Sequence, residues 1–163
     1  AGRMKFFQNK NCPLVCVDYA HTPEAFEQTL STLKSLVQNT KGKLLCVFGC
    51  GGDRDKIKRP LMGRIAAKYC DSGYITSDNP RSENIKSINE QILMGINESS
   101  RSKWVLSENR GSAITEAISK ADNDDLILVA GKGHENYQII KTKKIFLDDS
   151  VEVQSAFKIR NKN

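Results

Sequence analysis

The sequence predicts an α/β fold with a mostly parallel, twisted sheet, helices on both faces and an edge hairpin, and three observations predict it. Apolar runs of strand length alternate with apolar residues at helical spacing along nearly the whole chain. Polar loops at 18–22, 49–59, 78–81 and 131–135 each follow one of those runs directly. A right-handed crossover between successive parallel strands then gathers all four loops on one sheet edge, where open α/β folds bind ligands.

Taken in order, Phe6 and Phe7 mark a short first strand and Leu14–Asp18 a second. Thr22 and Pro23 open a helix, a hydroxyl cap followed by proline at the first helical position. Phe26, Leu30, Leu33 and Val37 keep its apolar face on the sheet until Gly42. Leu44–Phe48 is a fully apolar strand that runs into Gly49, Cys50, Gly51 and Gly52, and the next helix starts at Pro60 and ends near Cys70. A strand at 73–76 breaks at Asp78-Asn79-Pro80-Arg81, where proline holds the preceding residue extended and stiffens the loop.

Ile85, Ile88, Ile92 and Ile96 mark a helix with Gly95 inside it, at a propensity cost of about 1 kcal/mol. A strand at 103–106 and a helix carrying Ile114, Ala117 and Ile118 follow. Leu126–Ala130 is an apolar strand ending in Gly131-Lys132-Gly133-His134-Glu135. Tyr137–Ile140 and 143–147 form a hairpin around Lys141-Thr142, and a last helix from about Asp149 packs Val151, Val153 and Phe157 less regularly. Lys158, Arg160 and Lys162 lie in a polar tail expected to fray.

A length of 163 residues suits one domain with a core of two or three layers, and 39% apolar with 27% charged residues is ordinary for a soluble globular chain. No apolar run approaches a membrane span and no signal peptide is present, so the expectation is a cytoplasmic domain, cut from something longer, with no membrane partner. The net charge of +6 comes with one Trp and no aromatic-interleaved basic run, which argues against nucleic acid. The five cysteines include no C-x-x-C pair and read as buried, reduced thiols rather than a zinc site.

Chemistry concentrates in the loops. Arg54, Lys56, Lys58 and Arg59 outnumber Asp53 and Asp55 after the glycine run, yet neither the dinucleotide nor the P-loop glycine pattern can be placed there. That stretch is either an anion site or a solvated charged loop. Asp18 and His21 sit between a strand end and a helix N-terminus, where free N–H groups favour phosphate and ribose, or else they only order the turn. Asp78, Asn79 and Arg81 occupy a third, rigid loop at the same edge, and a shared site is the leading expectation.

DYAHTP at 18–23, FGCGGDRDK-x-KRPLMG at 48–63, DNPR at 78–81 and AGKGHE-x-YQI at 130–139 together resemble the C-terminal domain of the Mur ligases. Among these, the likeness is to the ligase that adds the third amino acid of the peptidoglycan precursor. It spans roughly residues 2–148, and any one motif alone would be weak. The resemblance implies a Rossmann-like fold, with the whole chain 1–163 as the C-terminal domain and the UDP-binding and central ATPase domains absent from it. It implies an ATP- and Mg2+-dependent reaction. The D-glutamyl carboxylate of UDP-N-acetylmuramoyl-L-alanyl-D-glutamate is phosphorylated, and the amine of an amino acid attacks the acyl phosphate.

By the same resemblance, Arg3 and Asp18 contact the adenosine part of ATP and His21 faces its phosphates, as the one catalytic candidate. Arg54, Asp78, Asn79, Arg81, Gly131 and Glu135 fall to the amino acid, meso-2,6-diaminopimelate. A guanidinium such as Arg81 clamps the far carboxylate of that ligand, and Glu135 accepts from its ammonium. Lysine lacks the carboxylate and strands the arginine. The chain alone is expected not to turn over. Two alternatives stay open: a non-catalytic module that binds an amino acid or nucleotide, and another amino-acid ligase such as a folylpolyglutamate synthetase. DNPR and GKGHE speak against the second.

Overall fold

A computed structural model describes residues 3–163. Among these described residues the elements run β1 (Lys5–Phe7), β2 (Leu14–Asp18), α1 (Pro23–Val37), β3 (Leu44–Phe48), α2 (Lys58–Tyr69), β4 (Ser72–Ile75), α3 (Ile85–Leu93) and a 3-10 turn (Glu98–Lys103). The chain continues with β5 (Trp104–Leu106), α4 (Arg110–Lys120), β6 (Leu126–Ala130), β7 (Tyr137–Ile140), β8 (Lys143–Phe146) and α5 (Asp149–Lys162). One sheet has the order β1-β2-β6-β3-β4-β5, parallel except for β1, and β7 pairs with β8 as a separate antiparallel hairpin.

The sheet is covered on both faces, which is why β3 and β6 are apolar and buried along their whole length. Alternate residues serve opposite layers. Cys46, Phe48, Leu126 and Leu128 meet Phe26, Leu30 and Leu33 of α1, Met62 and Ala66 of α2, and Ile88 and Ile92 of α3. Leu45, Val47, Ile127 and Val129 meet Ala113, Ile114 and Ala117 of α4 and Val153, Ala156 and Phe157 of α5. Because β6 inserts between β2 and β3, the strand order reverses there and leaves a crevice at the carboxyl ends of these strands.

Four expectations need correction. Helix α1 stops at Val37, well before Gly42, because the Thr40 hydroxyl and N–H both bond the Val37 carbonyl. Helix α2 starts at Lys58, with Pro60 inside its first turn, where no N–H is required. Gly95 lies beyond α3 and costs it nothing; it is needed because a Cβ would stand 1.8 Å from the Pro60 carbonyl oxygen. The basic tail is helical to Lys162, and Arg160 donates to the carbonyls of Ile118 (2.8 Å), Ser119 (3.1 Å) and Ala121 (2.6 Å), closing the end of α4.

Candidate functional site

Backbone hydrogen bonds lash the four loops together at the crevice. Gly131 N–H donates to Asp18 O (3.0 Å), Gly52 N–H to Asn79 O (2.8 Å) and Arg81 N–H to Ile139 O (2.9 Å). Beneath them lies Arg110, fully buried, whose guanidinium donates to Ser77 O (3.1 Å) and Ala130 O (3.0 Å). Asp149, at the start of α5, holds it through Nε–Oδ1 (2.8 Å) and Nη2–Oδ2 (2.7 Å) contacts. The ends of β4 and β6 are thus pinned one residue before Asp78 and Gly131. Gln138 of β7 completes the brace, donating to Ser77 Oγ (2.8 Å) and Asp78 O (2.7 Å).

Among these loops lies a cavity of about 380 Å³ that gathers Arg54, Asp78, Asn79, Arg81, Gly131 and Glu135. Lys58, Tyr19 and His21 also line it. Arg81 takes a left-handed backbone (φ 50°), fixed by its pairing beside Ile140, and its Nη1 donates to Gly52 O (2.9 Å). One edge of the guanidinium is thereby anchored while the rest stays half-buried at the cavity. Asn79 Oδ1 accepts from Ile139 N–H (2.9 Å) and from Lys132 Nζ (3.1 Å). Gly131, at φ 113°, admits no side chain: a Cβ would stand 2.8 Å from Asp78 Oδ2. Glu135 Oε1 and Asp78 Oδ1 lie 3.4 and 3.7 Å from Lys132 Nζ. Burial, then the carboxylates of Glu135 and Asp78, hold the Tyr19 phenol above its ordinary pKa.

A second cavity, of about 560 Å³, collects Arg3, Asp18 and His21, with Met4 and Thr29. Asp18 Oδ2 accepts from Ala20 N–H (3.2 Å) and Thr29 Oγ1 (3.1 Å), so this carboxylate orders the turn as well as lining the cavity. His21 is exposed, with Nδ1 3.0 Å from Tyr19 O, its carbonyl accepting from Lys58 Nζ (2.9 Å), and its ring edge-on to Tyr19 at 4.6 Å. Tyr19 and His21 line both cavities and form the seam between them. His134 is exposed, 6.2 Å from the Tyr19 ring.

Arg59 does not serve the anion loop: it is fully buried and bonded to both Glu83 oxygens (3.0 and 2.8 Å), Gln91 Oε1 (2.9 Å) and Gly51 O (2.9 Å). Of the four cations in that stretch, Arg54 and Lys58 line the cavity. The five cysteines are reduced and buried, and burial pushes the Cys50 thiol up to about 12, far from a reactive thiolate. Sequence reading did not single out Tyr19, Arg110, Lys132, Gln138 or Asp149. A glutamine facing inward in β7 and a lysine between two glycines were the available signals.

The sequence model of the Mur ligase glutamate ligase domain matches residues 2–133. The chain belongs to the Mur ligase family. Its relatives include the UDP-N-acetylmuramoyl-L-alanyl-D-glutamate–2,6-diaminopimelate ligase of Prochlorococcus marinus, 47% identical over 95% of this chain and 29% of that protein. The ligase of the same name from Syntrophomonas wolfei is 50% identical over 83% of this chain and 27% of its own length. A solved ligase of that name superposes with a TM-score of 0.88 at 42% identity, covering 99% of this chain and 32% of the other. This Mur ligase chain therefore spans less than a third of these relatives. Escherichia coli FolC in complex with ADP shares the fold alone, at 21% identity and a TM-score of 0.63.

Proposed function

We propose that the chain is the C-terminal domain of an ATP-dependent amide ligase, which joins meso-2,6-diaminopimelate to UDP-N-acetylmuramoyl-L-alanyl-D-glutamate in peptidoglycan precursor synthesis. The observation that carries this reading is the convergence of Arg54, Asp78, Asn79, Arg81, Gly131 and Glu135 on one cavity of about 380 Å³. Cations and carboxylates side by side suit a ligand whose far end carries both an ammonium and a carboxylate. Arg81 takes that carboxylate with the guanidinium edge left over from its bond to Gly52 O, and Arg54 adds a second cation from the facing loop. Glu135 accepts from the ammonium. Asn79, with Oδ1 already occupied by Ile139 and Lys132, offers its amide nitrogen.

ATP belongs to the second cavity in this reading, with Arg3 and Asp18 toward the adenosine and His21 toward the phosphates. His21 lines both cavities, and in this reading the transferring phosphoryl group and the attacking amine would meet at that seam, where His21 would stabilise charge. Among the described residues no three His, Cys, Asp or Glu side chains converge as a metal site. Magnesium, which neutralises phosphate charge when bound, would be held in this reading by the ATP phosphates together with domains outside this chain. Those UDP-binding and central ATPase domains complete the enzyme, which acts in the cytoplasm on a soluble precursor. The chain by itself is expected to bind amino acid and not to ligate it.

NMR titration of the isotope-labelled chain tests the reading. Diaminopimelate is expected to shift resonances at 54, 79–81 and 131–135, and L-lysine to shift them only at much higher concentration. Equal shifts with both amino acids contradict the substrate, and product formation by this chain with ATP contradicts the division of labour.

A further inference from the structure

Lys132 has no exposed side-chain surface, yet it carries a charge beside the amino-acid cavity. Its Nζ meets Asn79 Oδ1 at 3.1 Å, Glu135 Oε1 at 3.4 Å and Asp78 Oδ1 at 3.7 Å, and stands 5.4 Å from the centre of the Tyr137 ring. Taking an ammonium out of water costs several kcal/mol before its partners repay it. A neutral side chain of similar length could brace the same three groups without that cost. The positive charge itself is what Lys132 adds.

The charges around the cavity make the consequence countable. Arg54, Lys58 and Arg81 line it against Asp55, Asp78 and Glu135, three of each sign. Behind the loops the buried cations Arg110 and Arg59 are matched by Asp149 and Glu83. Lys132 is the buried cation that faces two of the lining carboxylates, Asp78 and Glu135, and with it the lining is one unit positive; the buried Asp18 carboxylate belongs to the second cavity, where it is taken up by Ala20 N–H and Thr29 Oγ1. Diaminopimelate is neutral overall near pH 7, with two carboxylates and two ammonium groups, whereas lysine has one carboxylate and is a cation. The two also compete differently for Glu135, which Lys132 already shares.

We infer that Lys132 is a positioning and specificity-determining residue that acts without touching the ligand. Its buried ammonium biases the cavity toward a diamino acid with a second carboxylate and against a diamino acid that lacks it. The inference rests on the proposed amino-acid site and assigns a selecting role to a residue outside the cavity lining.

Calorimetric titration of the chain with meso-diaminopimelate and, separately, L-lysine tests it in Lys132→Gln, which keeps a donor for Asn79 and removes only the charge. The ratio of the two Kd values is expected to fall about tenfold, the effect of one unit charge at about 10 Å and an effective dielectric constant of about 20. Lys132→Arg is expected to keep the ratio. Lys132→Met, which packs on Tyr137 without needing a partner, repeats the measurement if glutamine disorders the loop. A purely bracing role weakens both ligands by one factor; an unchanged ratio in Lys132→Gln or Lys132→Met therefore overturns the inference alone. An unmodified chain with no preference for diaminopimelate overturns the reading beneath it as well.

Discussion

Glu83 receives two bonds from the buried Arg59 guanidinium and a third from Asp53 N–H (2.6 Å), which fastens the glycine loop to the start of α3. The Arg59 hydrogen bonds hold its carboxyl down to about 2, from an ordinary 4.5. A carboxyl depressed in the folded state binds its proton more readily unfolded, so its contribution is complete above about 4.5 and is lost as pH falls toward about 2. Glu83→Gln is expected to cost about 2 kcal/mol near pH 7, because a buried guanidinium loses its counter-ion, and to flatten the acid limb of stability. Urea unfolding as a function of pH measures both. At this scale the sequence was least readable: Arg59 looks like one more loop cation, and only the tertiary position of α2 turns it inward.

Helix α5 shows what periodicity misses. Its buried residues are Asp149, Val153, Ala156 and Phe157, a set that mixes a carboxylate with apolar side chains and so weakens the helical signal in the sequence. That carboxylate is the partner of Arg110, and through it the last helix reaches the ends of β4 and β6. Asp149→Asn is expected to destabilise the fold by about 3 kcal/mol, since a fully buried cation is left without its charge partner. Hydrogen exchange should then speed first at 78–81 and 131–135, before the strands themselves open; uniform acceleration would contradict the pinning role. The start of α1, with its Thr22 cap, and the end of α2 near Cys70 were legible, whereas the end of α1 depends on local carbonyl bonds and the end of α3 on the contact between Gly95 and Pro60.

Over the whole molecule, alternating strands and helices were enough to place four loops on one edge, and with them the residues named for the two cavities except Arg3, which lies ahead of β1. The position of β6 between β2 and β3 was not legible, because nothing in an apolar run states its neighbours. Neither was the separation of the β7–β8 hairpin into its own sheet, fastened to the main body through Arg81 and Ile140. These two features close the cavity of about 380 Å³: β6 leads Gly131 and Glu135 into the crevice, and the hairpin holds Arg81 in its left-handed backbone.

The central claim is that Arg81 reads the second carboxylate of a diamino diacid. Calorimetry of Arg81→Ala with meso-diaminopimelate and with L-lysine tests it most directly. The diaminopimelate Kd is expected to rise at least about thirtyfold, as removal of one partner of a hydrogen-bonded charge pair does, while lysine, a cation, binds no more weakly than before. Equal losses for both amino acids, or an unchanged diaminopimelate Kd, would contradict it.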